Sequence, residues 1–93
     1  MSRLAIDYDG TYTADPALWD EFIRSAIERG HDVRCVTMRR PDEAIEMPCP
    51  IIYTSRAAKM AFVEAAGIPF DIWIDDAPHW LVMDSLAEPV GTV

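Results

Sequence analysis

Apolar and polar positions along this chain alternate between two periods. Residues 3–8, an apolar run that ends in the first of two aspartates, read as a first strand. Leu18, Phe22 and Ala26, with Trp19, Ile23 and Ile27 beside them, then recur at helical spacing. Asp15 predicts the N-cap of that helix, Pro16 its first residue and Gly30 its stop. Val33 to Met38 reads as a second strand, and Arg39 to Pro48 as a polar, proline-bounded loop. Pro50 to Thr54 reads as a third strand. Ser55 predicts the cap of a second helix running to Ala66, with Ala58, Ala61, Phe62 and Ala65 as its buried stripe and Gly67 as its stop. Phe70 to Ile74 reads as a fourth strand, and residues 77–86 as a short helix opened near Pro78.

Strands separated by helices of this length predict a parallel sheet with right-handed crossovers. Short strands that are apolar on both faces fit a sheet covered on both sides. The 93 residues allow one domain, 1–93, and no repeat or linker divides it.

Charge narrows the partners. Sixteen acidic against eight basic residues give a net charge of −8. That balance disfavours nonspecific binding to nucleic acid or anionic membranes, and it repels a phosphorylated substrate unless a metal or local base intervenes. No apolar run approaches the roughly 20 residues of a bilayer span. A signal-peptide pattern is absent, so a cytoplasmic protein is expected. Arg34, Arg39 and Arg40 cluster around one segment and read as a solvated loop, a substrate-facing patch being the other reading. Cys35 reads as a buried small hydrophobe, and Cys35 and Cys49 match no zinc pattern. His31 follows Gly30 at a helix end, where a cation is favourable.

The candidate chemistry sits where strands end. Alternate side chains of a strand point the same way, so Asp7 and Asp9 can converge beyond the first strand. Gly10 permits a sharp turn there. The run Asp71 to Asp76 ends in a second acidic pair, Asp75 and Asp76. Two parallel strands ending in carboxylates, side by side, would suit a hard divalent cation. Thr37 and Thr54 also fall at strand carboxyl ends, and Lys59 falls in the first turn of the second helix, on the same edge. Ligands of open parallel sheets bind beyond that edge. Tyr8 and Trp73 read as packing residues. Trp80 and His79 follow the acidic pair closely enough to contact a substrate.

In this order the motifs resemble the haloacid dehalogenase (HAD) superfamily of phosphatases and phosphotransferases. Asp7-Tyr-Asp-Gly-Thr11 is similar to its first motif, Thr37 to its second, Lys59 to its third and Asp75-Asp76 to its fourth. The resemblance spans roughly residues 3–80. It implies an α/β fold: a three-layer, Rossmann-like HAD core with a short parallel sheet of about four strands and flanking helices. It also implies an Mg²⁺-dependent phosphatase or phosphotransferase working through an aspartyl-phosphate on an unidentified phosphorylated substrate. Asp7 would be the nucleophile and Asp9 the general acid and base. Thr37 would bind a phosphate oxygen, and Lys59 would supply positive charge. Asp7, the Asp9 backbone carbonyl, Asp75 and Asp76 would hold the metal. Five residues separate Asp9 from Asp15, which leaves no room for a cap domain and little for a flap. An open site of that kind suits a large substrate, or a partner chain or second copy that covers the opening. The alternative is a catalytically weak or inactive HAD-like module that binds metal for a regulatory or interaction role.

Overall fold

The computed structural model describes residues 1–85. Its element order is β1 (Arg3–Ile6), a 3₁₀ turn (Tyr12–Ala14), α1 (Pro16–Glu28), β2 (Asp32–Thr37), β3 (Ile51–Tyr53), α2 (Lys59–Ala65), β4 (Ile72–Ile74) and a second 3₁₀ turn (Pro78–Leu81). The four strands form one all-parallel sheet in the order β3-β2-β1-β4. The described residues thus form a small α/β fold with two helices. Among the described residues, no helix is long and apolar enough to cross a membrane.

Strand parity sorts the core onto two faces. Leu4, Ile6, Val33 and Cys35 pack against Ile23 and Ala26 of α1. Ala5 and Val36 pack against Val63 of α2 on the other face. β1 is central, so its end lies between the ends of β2 and β4. The backbone N–H of Asp7 still donates to the Ile74 carbonyl one residue past β1. That bond fixes the first motif beside the acidic pair that follows β4.

α1 begins where the sequence predicts. The Asp15 carboxylate accepts from the Leu18 N–H at 3.3 Å, and Pro16 opens the helix. Gly30 follows at φ +89°, the left-handed geometry that ends helices. The buried stripe is narrower than the apolar one, since Leu18 and Ile27 are exposed. Beside it, Leu4, Phe22, Ala26, Ile72 and Ile74 line an open groove between α1 and the edge strand β4. His31 sits just past α1, where its Nδ1 accepts from the Ser2 N–H.

α2 departs from the sequence expectation in both start and phase. Ser55 does not cap it: Ser55 and Arg56 take φ +53° and +73° and form a left-handed turn. The helix starts at Lys59 after Ala58, with no side-chain cap. The Asp84 carboxylate instead accepts from the Ala58 N–H at 2.7 Å. Lys59 and Val63 are its buried residues, whereas Ala61, Phe62 and Ala65 are exposed. The turn delays the helix and shifts its phase, so Ala58 of the predicted stripe is buried but the other three residues face out. The expected helix over residues 77–86 is a single 3₁₀ turn, Pro78–Leu81, and its last residue lies outside the described residues.

Candidate functional site

Three loops meet at the carboxyl edge of the sheet. The β1–α1 loop brings Asp7 to Thr11, the end of β2 brings Thr37 and Met38, and the β4 loop brings Asp75 to Ala77. α2 adds Lys59 from the side. Asp7, Asp9, Thr37, Met38, Lys59, Asp75, Asp76, Ala77 and Trp80 line one cavity of about 160 Å³. Asp7, Asp9, Thr37, Lys59, Asp75 and Asp76, the six residues to which the resemblance gave roles, therefore border the same space, whereas Thr54 and His79 do not line it. Met38, Ala77 and Trp80 add apolar surface to its lining.

Lys59 is the electrostatic centre. Its Nζ lies 2.7 Å from Asp7 Oδ1 and 2.7 Å from Asp75 Oδ2, and the residue is only 3% exposed. Burial by itself would weaken its hold on a proton, but the Asp7 and Asp75 carboxylates outweigh that and raise its pKa. Asp7 shifts for the opposite balance of reasons. Burial pushes its pKa up to about 7, against the pull of Lys59, and the nearby Asp75 and Asp76 add to the rise. Its contact with Asp7, joined by Thr11, holds the Asp76 carboxyl below its usual range.

Thr11 is a member of the site that sequence reasoning did not single out. Its Oγ1 accepts from the Asp76 N–H at 3.1 Å and lies 3.2 Å from Asp7 Oδ2 and 3.1 Å from Asp76 Oδ1, either of which can take its proton. The signal was its position as the last residue of the first motif. Gly10, at φ +86°, presses against Asp76 so closely that a Cβ there would run into the carboxylate. The loop is thereby folded onto the acidic pair.

Asp9 does not join the carboxylate cluster. Arg39 holds it with a bidentate fork, Nε to Oδ2 at 2.9 Å and Nη2 to Oδ1 at 2.8 Å. The guanidinium also lies over the Tyr8 ring, 5.4 Å from its centroid. Two other bonds set Arg39 in place. Its N–H donates to Thr37 Oγ1, and its carbonyl accepts from the Ser55 N–H. Arg39 was legible only as one of three clustered arginines. Arg34 pairs instead with Asp32, and Arg40 lies 3.6 Å from Asp42. Trp80 borders the cavity, and His79 packs against it with ring centroids 4.4 Å apart.

The donor set fits a hard cation. Carboxylate oxygens of Asp7, Asp75 and Asp76 lie within 4.8 Å of one another. Carboxylates this close repel one another when ionised, and a divalent cation among them would offset that repulsion. Asp9, whose carboxylate is turned to Arg39, is outside this set. No protein-family model matches the sequence, and no solved structure matches the fold significantly.

Proposed function

We propose that this chain is a minimal HAD-type phosphohydrolase, with a Rossmann-like HAD core and Mg²⁺ held by Asp7, Asp75 and Asp76. The observation that carries the reading is the convergence of Asp7, Thr37, Lys59, Asp75 and Asp76 on one small cavity at the carboxyl edge of a parallel sheet. A bound divalent cation would keep Asp7 ionised and offset its repulsion from a phosphoryl group.

The remaining chemistry belongs to the chain. An Asp7 carboxylate oxygen attacks phosphorus, the bond from phosphorus to the leaving oxygen breaks, and an aspartyl-phosphate forms. The leaving oxygen takes a proton from Asp9. Water then attacks phosphorus, gives its proton to Asp9 and releases inorganic phosphate and the free Asp7 carboxylate. Lys59, bonded to Asp7, would also bind a phosphoryl oxygen. The Thr37 hydroxyl, which borders the cavity, can donate to another oxygen.

A screen of phosphomonoesters with magnesium tests the proposal directly. Phosphate release that disappears in Asp7→Asn is the expected result, because an amide is a poor nucleophile. Wild-type turnover in Asp7→Asn would exclude the covalent route.

One observation favours a second reading, a metal-binding module without turnover. Asp9 offers both carboxylate oxygens to Arg39, so the proton-transfer residue is already engaged. Metal-dependent stabilisation with no hydrolysis across the screen would select that reading.

A further inference from the structure

We propose that Arg39 selects the substrate by exchanging Asp9 for a second anionic group on the leaving-group side of the phosphoryl centre. The inference rests on the phosphomonoester reading, and it names the substrate class: phosphate esters that carry another negative charge close to the scissile bond.

Two cations hold carboxylates of the site, Lys59 from inside the cavity and Arg39 through Asp9, and they differ. Lys59 is 3% exposed and bonded to two buried aspartates, so it is committed to the phosphoryl end. The Arg39 side chain is 30% exposed and bonded to an Asp9 side chain that is 39% exposed. An ion pair this open to water contributes little stability, so an incoming anion can take its place. The planar fork now fitted to Asp9 matches any carboxylate or phosphate oxygen pair equally well.

Position supplies the rest. In the proposed reaction Asp9 hands its proton to the leaving oxygen. A cation bonded to Asp9 therefore borders the leaving group and not the transferring phosphoryl group. Arg39 is also mounted firmly. The Met38 carbonyl accepts from the Arg56 N–H and from Arg56 Nη1, both at 2.8 Å, and Glu43 binds the same guanidinium from the following loop. The backbone on both sides of Arg39 is held, so only its side chain needs to turn. Tyr8 stacks beneath the guanidinium and Tyr12 stacks on Tyr8, with ring centroids 5.8 Å apart, which gives the fork a flat bed in either position.

The exchange does two things at once. It gives an acidic protein a specific hold on an anionic leaving group, and it frees both Asp9 oxygens for proton transfer only when such a group is present. Esters without the second anion leave Asp9 engaged and react slowly.

Four aryl esters of matched size test this: phenyl phosphate, 3-carboxyphenyl phosphate, 3-carbamoylphenyl phosphate and 1,3-phenylene bisphosphate. With magnesium, wild type should prefer the carboxy ester to the carbamoyl ester at least tenfold in kcat/KM, and the bisphosphate arm reads whether a second phosphoryl group serves as well as a carboxylate. In Arg39→Met the preference should fall to within twofold. A preference below twofold in wild type, or one that survives in Arg39→Met, overturns the proposal. If Arg39→Met does not melt cooperatively, Arg39→Lys carries the comparison, since it keeps the charge and loses the fork; an unchanged preference there overturns it too. Calorimetry separates this inference from the hydrolase reading. Phosphonoacetate should bind at least tenfold tighter than methylphosphonate in wild type, and equally in Arg39→Met. That binding result without any hydrolysis would uphold Arg39 as an anion selector and retire the hydrolase. Equal binding of both phosphonates by wild type would retire the selector.

Discussion

The two helices pack on opposite faces of one sheet but obey different rules. α1 has thirteen residues, a side-chain cap at Asp15, proline at its first position and a glycine stop. None of its residues lines the cavity that Asp7 and Lys59 share. α2 has seven residues, no side-chain cap and two left-handed residues before it, and its first residue is Lys59. Local signals mark both ends of α1, and Ile23 and Ala26 pack it onto the core. α2 is too short to be stable alone, and tertiary contacts hold it. These include the burial of Val63, the Asp84 bond to the Ala58 N–H and the two ion pairs of Lys59, which also define the site. Stability and candidate chemistry are thus separate at α1 and joined in the same side chain at α2.

Removing Lys59 should break that joining with the largest effect. Lys59→Met keeps much of the apolar stem but leaves Asp7 and Asp75 facing each other without a cation. Breaking a buried pair in this way costs about 3–5 kcal/mol. In metal-free buffer at pH 8 the urea midpoint should fall accordingly. At pH 5 the loss should be much smaller, because Asp7 can take a proton. An equal loss at both pH values would mean that packing, not charge, anchors α2.

Asp7→Asn should sharpen the same point with the opposite sign. The folded Asp7 pKa is raised to about 7 from 3.8, mainly by burial. A group raised on folding contributes stability that is full below its unfolded value and lost as pH rises through its folded value. Wild type should therefore lose stability relative to Asp7→Asn from about pH 4 to about pH 7, at on the order of 1 kcal/mol per pH unit. Above that the difference should level off. Millimolar magnesium should stabilise wild type and reduce the difference. A pH-independent difference between the two proteins would show that Asp7 is not held in a raised state.

What could be read ahead of the structure follows from the same contrast. The order of strands and helices, the parallel sheet and the start of α1 rest on local signals: period, caps and glycines. The meeting of Asp7, Thr37, Lys59 and the Asp75-Asp76 pair followed from one general rule, that strand carboxyl ends share an edge in a parallel sheet. The phase of α2 was not legible, because Ser55 and Arg56 adopt a left-handed turn that their residue types do not announce. The Asp9–Arg39 fork was not legible either. It joins residues thirty positions apart and depends on how the β2–β3 loop is tethered through Arg56 and Glu43. Thr11 was visible as part of a motif, but its place between two carboxylates is a fact of loop packing.

At α1 the expected effects are smaller and local. Asp15→Ala removes the acceptor for the Leu18 N–H and should lower stability by about 1 kcal/mol, independent of magnesium. Sensitivity to magnesium would connect α1 to the site and blur the separation of the two helices.

The smallest effect should come from the paired glycine exchanges that compare how the chain turns at the two helices. Gly30 after α1 already has the residue its φ of +89° requires, and nothing lies within 4 Å of the position a Cβ would take. Gly30→Ala should therefore destabilise through backbone strain alone, by about 1 kcal/mol. Ser55 before α2 holds φ +53° with a side chain that glycine would not need. Ser55→Gly relieves that strain but gives the unfolded chain more freedom, so the net gain should be only about 0.5 kcal/mol. Urea melts of the two variants read opposite signs if the turn before α2 is strained. A loss in Ser55→Gly would mean that the serine side chain itself supports the turn, and the strain before α2 would then have no energetic consequence.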